Sequence, residues 1–244
     1  MPLLSADPTA FPAEPPENLD DPACIAEHDW VAFSALEEMT DHWSRPGWSD
    51  GARAYYWMLT FPGSPELADL AVTCQDELTA LGLDPVPADG LHLTLARIGA
   101  RDAVTRRQLE ALAQTAAREL PGAFTLRIVP LAGSRGAVRF SVGPWAPLVH
   151  LHAALLHAGR SEDLSSREPT ALFRPHLSIA YNNRRRPAAP VTAAVAYLRS
   201  LASVAVEVAD VQLVELRRDG ATYRWDVLES LPLAALDLAG PAVE

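Results

Sequence analysis

Two short segments of the chain hold residues whose types and spacing suit acid–base chemistry. LHLTL (91–95) places His92 two positions before Thr94, and PHLSI (175–179) places His176 two positions before Ser178. Both segments are predicted to be β-strands, in which side chains alternate between the two faces. Each strand is therefore predicted to present an imidazole and a hydroxyl side by side, with leucine or isoleucine anchoring its opposite face in a core.

Two such strands facing each other would suit phosphoryl transfer. In-line displacement at phosphorus needs a base at the attacking oxygen and an acid at the leaving oxygen, and two imidazoles with an ordinary pKa of about 6.5 can divide these roles near neutral pH. The hydroxyls of Thr94 and Ser178 can donate to the non-bridging phosphate oxygens. Alternation also places Arg174 on the face of His176, so Arg174 is a candidate phosphate contact; the alternative is an exposed arginine where the strand begins.

The two segments occupy matching places in an internal repeat. The strand AYYWMLTF (54–61), a helix from Pro65 and the strand of His92 match AVRFSVG (137–143), a helix from Trp145 and the strand of His176. The histidines lie about 80 residues apart, and repeats of this kind indicate duplicated structural units. One histidine motif alone would more often be an ordinary buried strand residue, but its duplication favours a functional pair. The repeat predicts a duplicated α+β fold rather than one doubly wound sheet.

The pair HLTL and HLSI, in duplicated strands, resembles the two-histidine phosphoesterase superfamily, which includes 2′-5′ RNA ligase-like proteins and cyclic phosphodiesterases. The resemblance covers about residues 52–231. It implies a bilobal α+β fold with antiparallel sheets facing a central cleft, and metal-independent action on 2′,3′-cyclic phosphates or 2′-5′ linked ends. It assigns catalysis to His92 and His176 and phosphate binding to Thr94 and Ser178, with serine where threonine is commoner. RNA ends or a cyclic nucleotide are the expected partners.

Other interpretations of the sequence remain open beside this one. His150 and His152 invite a metal site, but the helical pattern around them points them apart, and His152 fits a hydrogen-bonded core histidine better. Three arginines at 184–186 fit a solvated turn, and no Walker loop or other cofactor motif is present, so no cofactor is expected. The aromatic residues Tyr55, Tyr56, Trp57 and Tyr181 could stack on a base or simply fill a core. The alternative function is a non-catalytic RNA- or nucleotide-binding module.

Composition and charge limit the class of protein. The 244 residues are 49% hydrophobic, which excludes disorder, and two cysteines are too few for a disulfide framework. The net charge of −11 argues against a protein that coats nucleic acid. That acidity is local, because residues 1–50 hold 11 acids and 1 arginine, whereas residues 97–186 hold 14 arginines and 6 acids, a net of +8. An anionic ligand is compatible with the second region.

The pattern along the chain predicts four segments. Residues 1–20 are proline-rich and acidic and are predicted to be a loose tail; residues 21–51 form a helical extension, with one helix over 22–44. The phosphoesterase-like domain spans 52–231 and closes with a hairpin around Asp219-Gly220, and residues 232–244 form a C-terminal tail. No apolar run of membrane-spanning length and no signal peptide is present, so a cytoplasmic enzyme is expected.

Overall fold

A computed structural model describes residues 4–44, 46–164 and 169–235. The helices are α1 (Pro22–Ser34), α2 (Pro65–Leu78), α3 (Arg106–Ala116), α4 (Trp145–Ser161) and α5 (Ala189–Leu198). The strands are β1 (Glu38–Met39), β2 (Arg53–Thr60), β3 (Asp84–Pro85), β4 (His92–Ala100), β5 (Phe124–Gly133), β6 (Ala137–Gly143), β7 (Leu177–Tyr181), β8 (Arg186–Pro187), β9 (Val204–Val208), β10 (Asp210–Asp219) and β11 (Thr222–Pro232).

The strands form two main antiparallel sheets, each with one histidine motif. The first sheet has the order β11-β10-β2-β4, and His92 begins its edge strand β4. The second sheet has the order β3-β7-β6-β5-β9, and His176 immediately precedes β7. In each repeat unit the two predicted strands pair with each other, β2 with β4 and β6 with β7. The predicted α+β fold with antiparallel sheets is confirmed, as is the closing hairpin of β10 and β11.

The helices of the two units are exchanged between the sheets. Helix α2 follows β2 of the first sheet but contacts β7 and β9 of the second. Helix α4 follows β6 of the second sheet but contacts β4 of the first. The Gln75 side chain of α2 donates to the carbonyls of Val86 and Ile179, at 2.7 and 2.8 Å, and so ties that helix to the second sheet. Each unit is therefore covered by the helix of the other.

Helix α1 packs on the face of the second sheet that carries Ser178. Arg139 of β6 lies directly opposite Ser178 in the register of β6 and β7, so the two residues share a face. The buried carboxylate of Asp29 in α1 accepts hydrogen bonds from Arg139 at 3.2 Å and from Ser141 at 2.7 Å. Because Arg139 and Ser141 are two residues apart in one strand, this contact fixes α1 on the Ser178 face.

The prediction of one helix over residues 22–44 is wrong in its second half. Asp21 caps α1 as expected, accepting a hydrogen bond from the Ala23 amide at 2.9 Å, but the helix ends at Ser34. The apolar residue that continued the helical spacing, Met39, is fully buried because β1 pairs with β8. An apolar residue at position 39 is expected both for a continuing helix and for a short buried strand. The sequence could not distinguish these two structures.

The prediction of a loose N-terminal tail is also not what the structure shows for residues 4–20, here called the N-terminal strap. Leu4 is buried, the Ser5 amide donates to the Ala171 carbonyl at 3.0 Å, and the Trp145 amide donates to the Leu19 carbonyl at 2.6 Å. Because proline has no backbone N–H, a proline-rich segment cannot pair all of its carbonyls internally. Here carbonyls of the strap accept hydrogen bonds from the folded domain. Of the predicted C-terminal tail, residues 236–244 lie outside the described residues.

Among the described residues, no helix is both long enough and apolar enough to cross a membrane.

The close approach of α1 to the second sheet predicts a sensitive position at Gly133. A β-carbon there would collide with the ring of Phe33, which is fully buried. We expect Gly133→Val to lower the free energy of unfolding by about 1–3 kcal/mol, because an overpacked core must shift. Urea denaturation measures this change. Gly63→Ala is the control, since a β-carbon at Gly63 meets nothing within 4 Å; an equal loss in both variants would contradict the packing explanation.

Candidate active site

The two histidine rings are held in the same way. The Nδ1 atom of His92 lies 2.7 Å from the carbonyl oxygen of Gly90, and that of His176 lies 2.8 Å from the carbonyl oxygen of Arg174. In both motifs the acceptor is the backbone two residues before the histidine. Because a carbonyl only accepts, each Nδ1 must carry the hydrogen, and the lone pair of the neutral ring then lies on Nε2. The same tautomer is therefore set twice.

The hydroxyl of Thr94 lies on the same face as His92, as strand alternation predicts, whereas His176 lies just before β7. On β2, Thr60 lies opposite His92 and Met58 lies opposite Thr94, so the imidazole and the hydroxyl of the first motif share a face. Ser178 is 9% exposed and lies opposite Arg139, on the face that α1 and the N-terminal strap approach. The β6–β7 register shifts beyond Ser178, so the simple alternation holds only up to this residue.

The fold brings the two motifs to one region between the sheets. Strands β4 and β7 are in contact. Aromatic rings also link them: Tyr223 of β11 lies 6.2 Å from His92 and 5.4 Å from Tyr181 of β7, measured between ring centroids. His176 and Ser178 belong to the same short stretch of chain as Tyr181. The two motifs therefore lie in the part of the molecule where β4 and β7 are in contact.

Burial shapes the protonation of His92. Its side chain is 9% exposed, and loss of solvation disfavours the charged imidazolium, which lowers the pKa of His92 below its ordinary value. The hydrogen bond with Gly90 acts in the opposite direction but does not offset the burial. His92 is consequently neutral at neutral pH, with its lone pair on Nε2.

An aromatic wall beside His92 was not found by sequence reasoning. Trp225 lies 5.3 Å from the His92 ring and Tyr223 stands two residues earlier on the same strand face. His42 is buried, its Nε2 lies 2.8 Å from the Tyr223 hydroxyl, and its ring stacks on Tyr181 at 4.0 Å. The alternation of Tyr223 and Trp225 in a strand was a usable signal. His42, with Ser44 two residues later, also matches the histidine–hydroxyl pattern, but it was discounted because a helix was predicted there, and the structure ends that helix at Ser34.

Of the aromatic residues proposed from sequence to stack on a base, those in β2 pack mainly in the core. Trp57 is 1% exposed and Tyr55 is 8% exposed. Tyr181 differs, because it joins the ring contacts that connect the sheets.

Arg174 is bound to the protein's own backbone. Its Nε donates to the Pro12 carbonyl at 3.0 Å and its Nη2 donates to the carbonyls of Ser5 and Ala13, all in the N-terminal strap. Its Nη1 donates to the carbonyls of Ala171 and Phe173. A guanidinium has five N–H donors, so these contacts use all of them. The prediction that Arg174 binds phosphate therefore requires the strap to move.

The region of His150 and His152 is structural. Both residues lie in helix α4, where His150 is exposed and His152 is buried. The His152 ring stacks on Phe173 at 4.3 Å, and its Nδ1 lies 3.0 Å from the Thr170 hydroxyl. This confirms the interpretation of His152 as a hydrogen-bonded core histidine. The described residues include no group of three or more histidine, cysteine or acidic side chains suited to a metal ion.

Comparison with known proteins agrees with this architecture. Residues 64–220 match the model of the 2′-5′ RNA ligase superfamily, and the chain belongs to this family. The structure is similar to apo E. coli LigT, with a TM-score of 0.56, 20% identity, and coverage of 76% of this chain and 99% of LigT. It is also similar to E. coli LigT complexed with 3′-AMP, with a TM-score of 0.56, 18% identity, and coverage of 75% of this chain and 99% of LigT. The structure of a Thermus thermophilus protein is similar too, with a TM-score of 0.55, 18% identity, and coverage of 75% of this chain and 98% of that protein. No curated protein sequence matches the chain.

The burial of His152 predicts a pH dependence of stability. Desolvation lowers the pKa of His152 to about 4, whereas in the unfolded chain it is about 6.5. Between these values the unfolded chain binds a proton that the folded chain does not, so the contribution of His152 is complete above pH 6.5 and falls as the pH drops toward 4. The loss is about 3 kcal/mol at most.

Urea denaturation of the wild type and His152→Asn at several pH values measures this contribution. We expect the free energy of unfolding to fall less steeply in His152→Asn over this interval. His150→Asn controls for the change of residue type on the same helix. Parallel curves for wild type and His152→Asn would contradict the assignment.

Proposed function

We propose that the domain over residues 52–231 is a phosphoesterase that acts on 2′,3′-cyclic phosphates or 2′-5′ phosphodiesters through two-histidine acid–base catalysis. The observation that carries the proposal is the matched anchoring of His92 and His176. Both rings occupy equivalent places in the duplicated units, and both are oriented through Nδ1 by the carbonyl two residues before. Two unrelated core histidines have no reason to share the same tautomer and the same anchor. Membership in the 2′-5′ RNA ligase superfamily supports the reaction class.

The protonation of His92 suggests how the roles are divided. Because its burial favours the neutral ring, Nε2 of His92 accepts the proton of the attacking oxygen, from water in hydrolysis or from a 5′-hydroxyl in ligation. The new bond to phosphorus forms as the bond to the opposite oxygen breaks. A protonated His176 then gives its Nε2 proton to that leaving oxygen. The two imidazoles handle both protons, so the proposed mechanism is metal-independent.

The hydroxyls stabilise the charge that develops on phosphorus. Thr94 and Ser178 each lie two residues after a catalytic histidine. Hydroxyl donors at these positions can bind the non-bridging oxygens, where negative charge accumulates in the transition state.

The surroundings of His92 fit the nucleoside part of such a substrate. E. coli LigT has been crystallised with 3′-AMP and with NADP+, which supports a nucleotide ligand for this relative. Beside His92, Trp225 borders a cavity whose lining also includes Thr60, Phe61 and Gln212. An indole ring next to a catalytic imidazole is suited to stacking on a base.

A non-catalytic RNA- or nucleotide-binding module is the alternative. The two hypotheses predict different results for turnover, because only an enzyme hydrolyses the cyclic phosphate of a 2′,3′-cyclic mononucleotide. A chromatographic assay of purified protein with a panel of cyclic and 2′-5′ linked substrates separates them. Binding without turnover of any substrate would support the alternative.

The histidines are expected to act as one unit. His92→Ala and His176→Ala should each lower kcat by about 10²–10⁴-fold, the usual value of one acid–base group. The double variant should be little worse than either single variant, because the two groups act in the same displacement. Steady-state hydrolysis of a cyclic mononucleotide measures these effects. His150→Ala, on the exposed face of α4, is the control and should retain activity; activity retained by a folded His176→Ala protein would sink the paired mechanism.

The hydroxyl of Thr94 is expected to matter less than either imidazole. Thr94→Val keeps the shape of the side chain but removes the donor, so the loss in kcat should correspond to no more than the ~2.7–4 kcal/mol of one lost oxyanion donor. Thr94→Ser keeps the hydroxyl and should remain close to the wild type. Ser178→Ala tests the second motif in the same assay. Equal losses in Thr94→Val and Thr94→Ser would show that packing, not hydrogen bonding, explains the effect.

A further inference from the structure

The N-terminal strap lies on the sheet face that carries the second motif. Arg139, which shares a face with Ser178, has its guanidinium 5.6 Å from the centre of the Phe11 ring and within 3.5 Å of the Phe11 carbonyl. Arg174, two residues before His176, holds the carbonyls of Ser5, Pro12 and Ala13. The strap therefore contacts both arginines that flank the second motif on this face.

Both arginines already have partners within the protein. Arg174 spends all its donors on backbone carbonyls, and Arg139 is 2% exposed and paired with the Asp29 carboxylate. The strap itself contains four acids, Asp7, Glu14, Glu17 and Asp20, and no arginine. A polyanion approaching His176 from this side would meet a segment of negative charge and no unpaired arginine from this pair.

We propose that the N-terminal strap covers the side of the cleft beside His176 and restricts the enzyme to small cyclic phosphate esters, such as a cyclic mononucleotide, excluding the body of a polynucleotide. The inference rests on the function proposed above and narrows its substrate class. A mononucleotide needs room only for one phosphate and one nucleoside. The cavity that Trp225 borders is lined by residues of the first sheet and its adjoining loops, and Trp225 lies 5.3 Å from the His92 ring. A polynucleotide needs a further path for its preceding phosphates. The strap lies outside the segment that matches the family, which begins at residue 64.

The strap can be loosened while most anchors of helix α1 are kept. Leu4 shares a buried cluster with Ile25 of α1 and with Trp145, but α1 also has its own cap at Asp21 and is fixed by Asp29 and the fully buried Phe33. The strap depends on the buried Leu4, on Phe11 and on its carbonyls. Leu4→Ser with Phe11→Ala removes two of its apolar contacts and leaves every charge and every proposed catalytic residue in place.

The test uses the full-length chain and two substrates, 2′,3′-cyclic AMP and a short oligoribonucleotide ending in a 2′,3′-cyclic phosphate. We expect the wild type to favour the mononucleotide, and Leu4→Ser/Phe11→Ala to raise kcat/KM for the oligoribonucleotide by about tenfold, or 1.4 kcal/mol, with little change for the mononucleotide. Val31→Ala, at an exposed position of α1, is the control and should keep the wild-type ratio. Hydrogen exchange of residues 4–20 reports whether the strap has loosened.

A loosened strap with an unchanged substrate ratio would overturn the proposal, as would a wild type that processes both substrates equally well. If no variant turns over either substrate, the proposed enzymatic function fails. The role of the strap is then tested by measuring the binding of 3′-AMP and of a 3′-phosphorylated oligoribonucleotide. We expect the double variant to bind the oligoribonucleotide about tenfold more tightly than the wild type does. An unchanged ratio of the two dissociation constants would count against the role of the strap. If the double variant does not fold, Phe11→Ala alone enters the same comparison.

Discussion

The exchange of helices between the two sheets is the constraint on which the candidate site depends. Helix α2 leaves the first sheet and packs on the second, and α4 does the reverse. Neither sheet can move alone without exposing the apolar side of a helix that belongs to the other. Since His92 and His176 come from different sheets, their relative position is set by this packing and by the contact between β4 and β7. The exchange explains how two separate units can hold one pair of imidazoles.

A second constraint comes from buried charge. Asp29 and Arg139 are 0% and 2% exposed, and their ion pair is completed by the Ser141 hydroxyl. Removing one partner of such a pair costs about 3–5 kcal/mol, because the other charge is left buried without compensation. The pair therefore pins α1 to one place on the second sheet. Since Arg139 lies opposite Ser178, α1 is fixed on the Ser178 face of that sheet.

Residues 92–94 and 176–178 show what local pattern could predict. A histidine followed by a hydroxyl at a spacing of two, inside a strand, fixes which side chains share a face, and duplication of the pattern indicated two related units. The structure confirms the two strands, their antiparallel pairing and the class of fold, although β7 begins one residue after His176. Met39 and His42 show where pattern failed. The helical spacing that included Met39 was accidental, and the predicted helix wrongly extended to His42. Burial of Met39 and His42 depends on β8 and on Tyr223, which lie far away in the sequence.

The sequence by itself determined the local facts: which residues alternate on a strand, where the units repeat, and where acid and arginine accumulate. Only the tertiary structure decided what those residues touch. Alternation predicted Arg174 to face a bound phosphate, yet Arg174 lies before β7 and its donors go to the carbonyls of Ser5, Pro12 and Ala13. Every residue has a carbonyl, so such contacts leave no mark in residue type or spacing. For that reason the sequence suggested a loose proline-rich tail, whereas residues 4–20 pack on the folded domain.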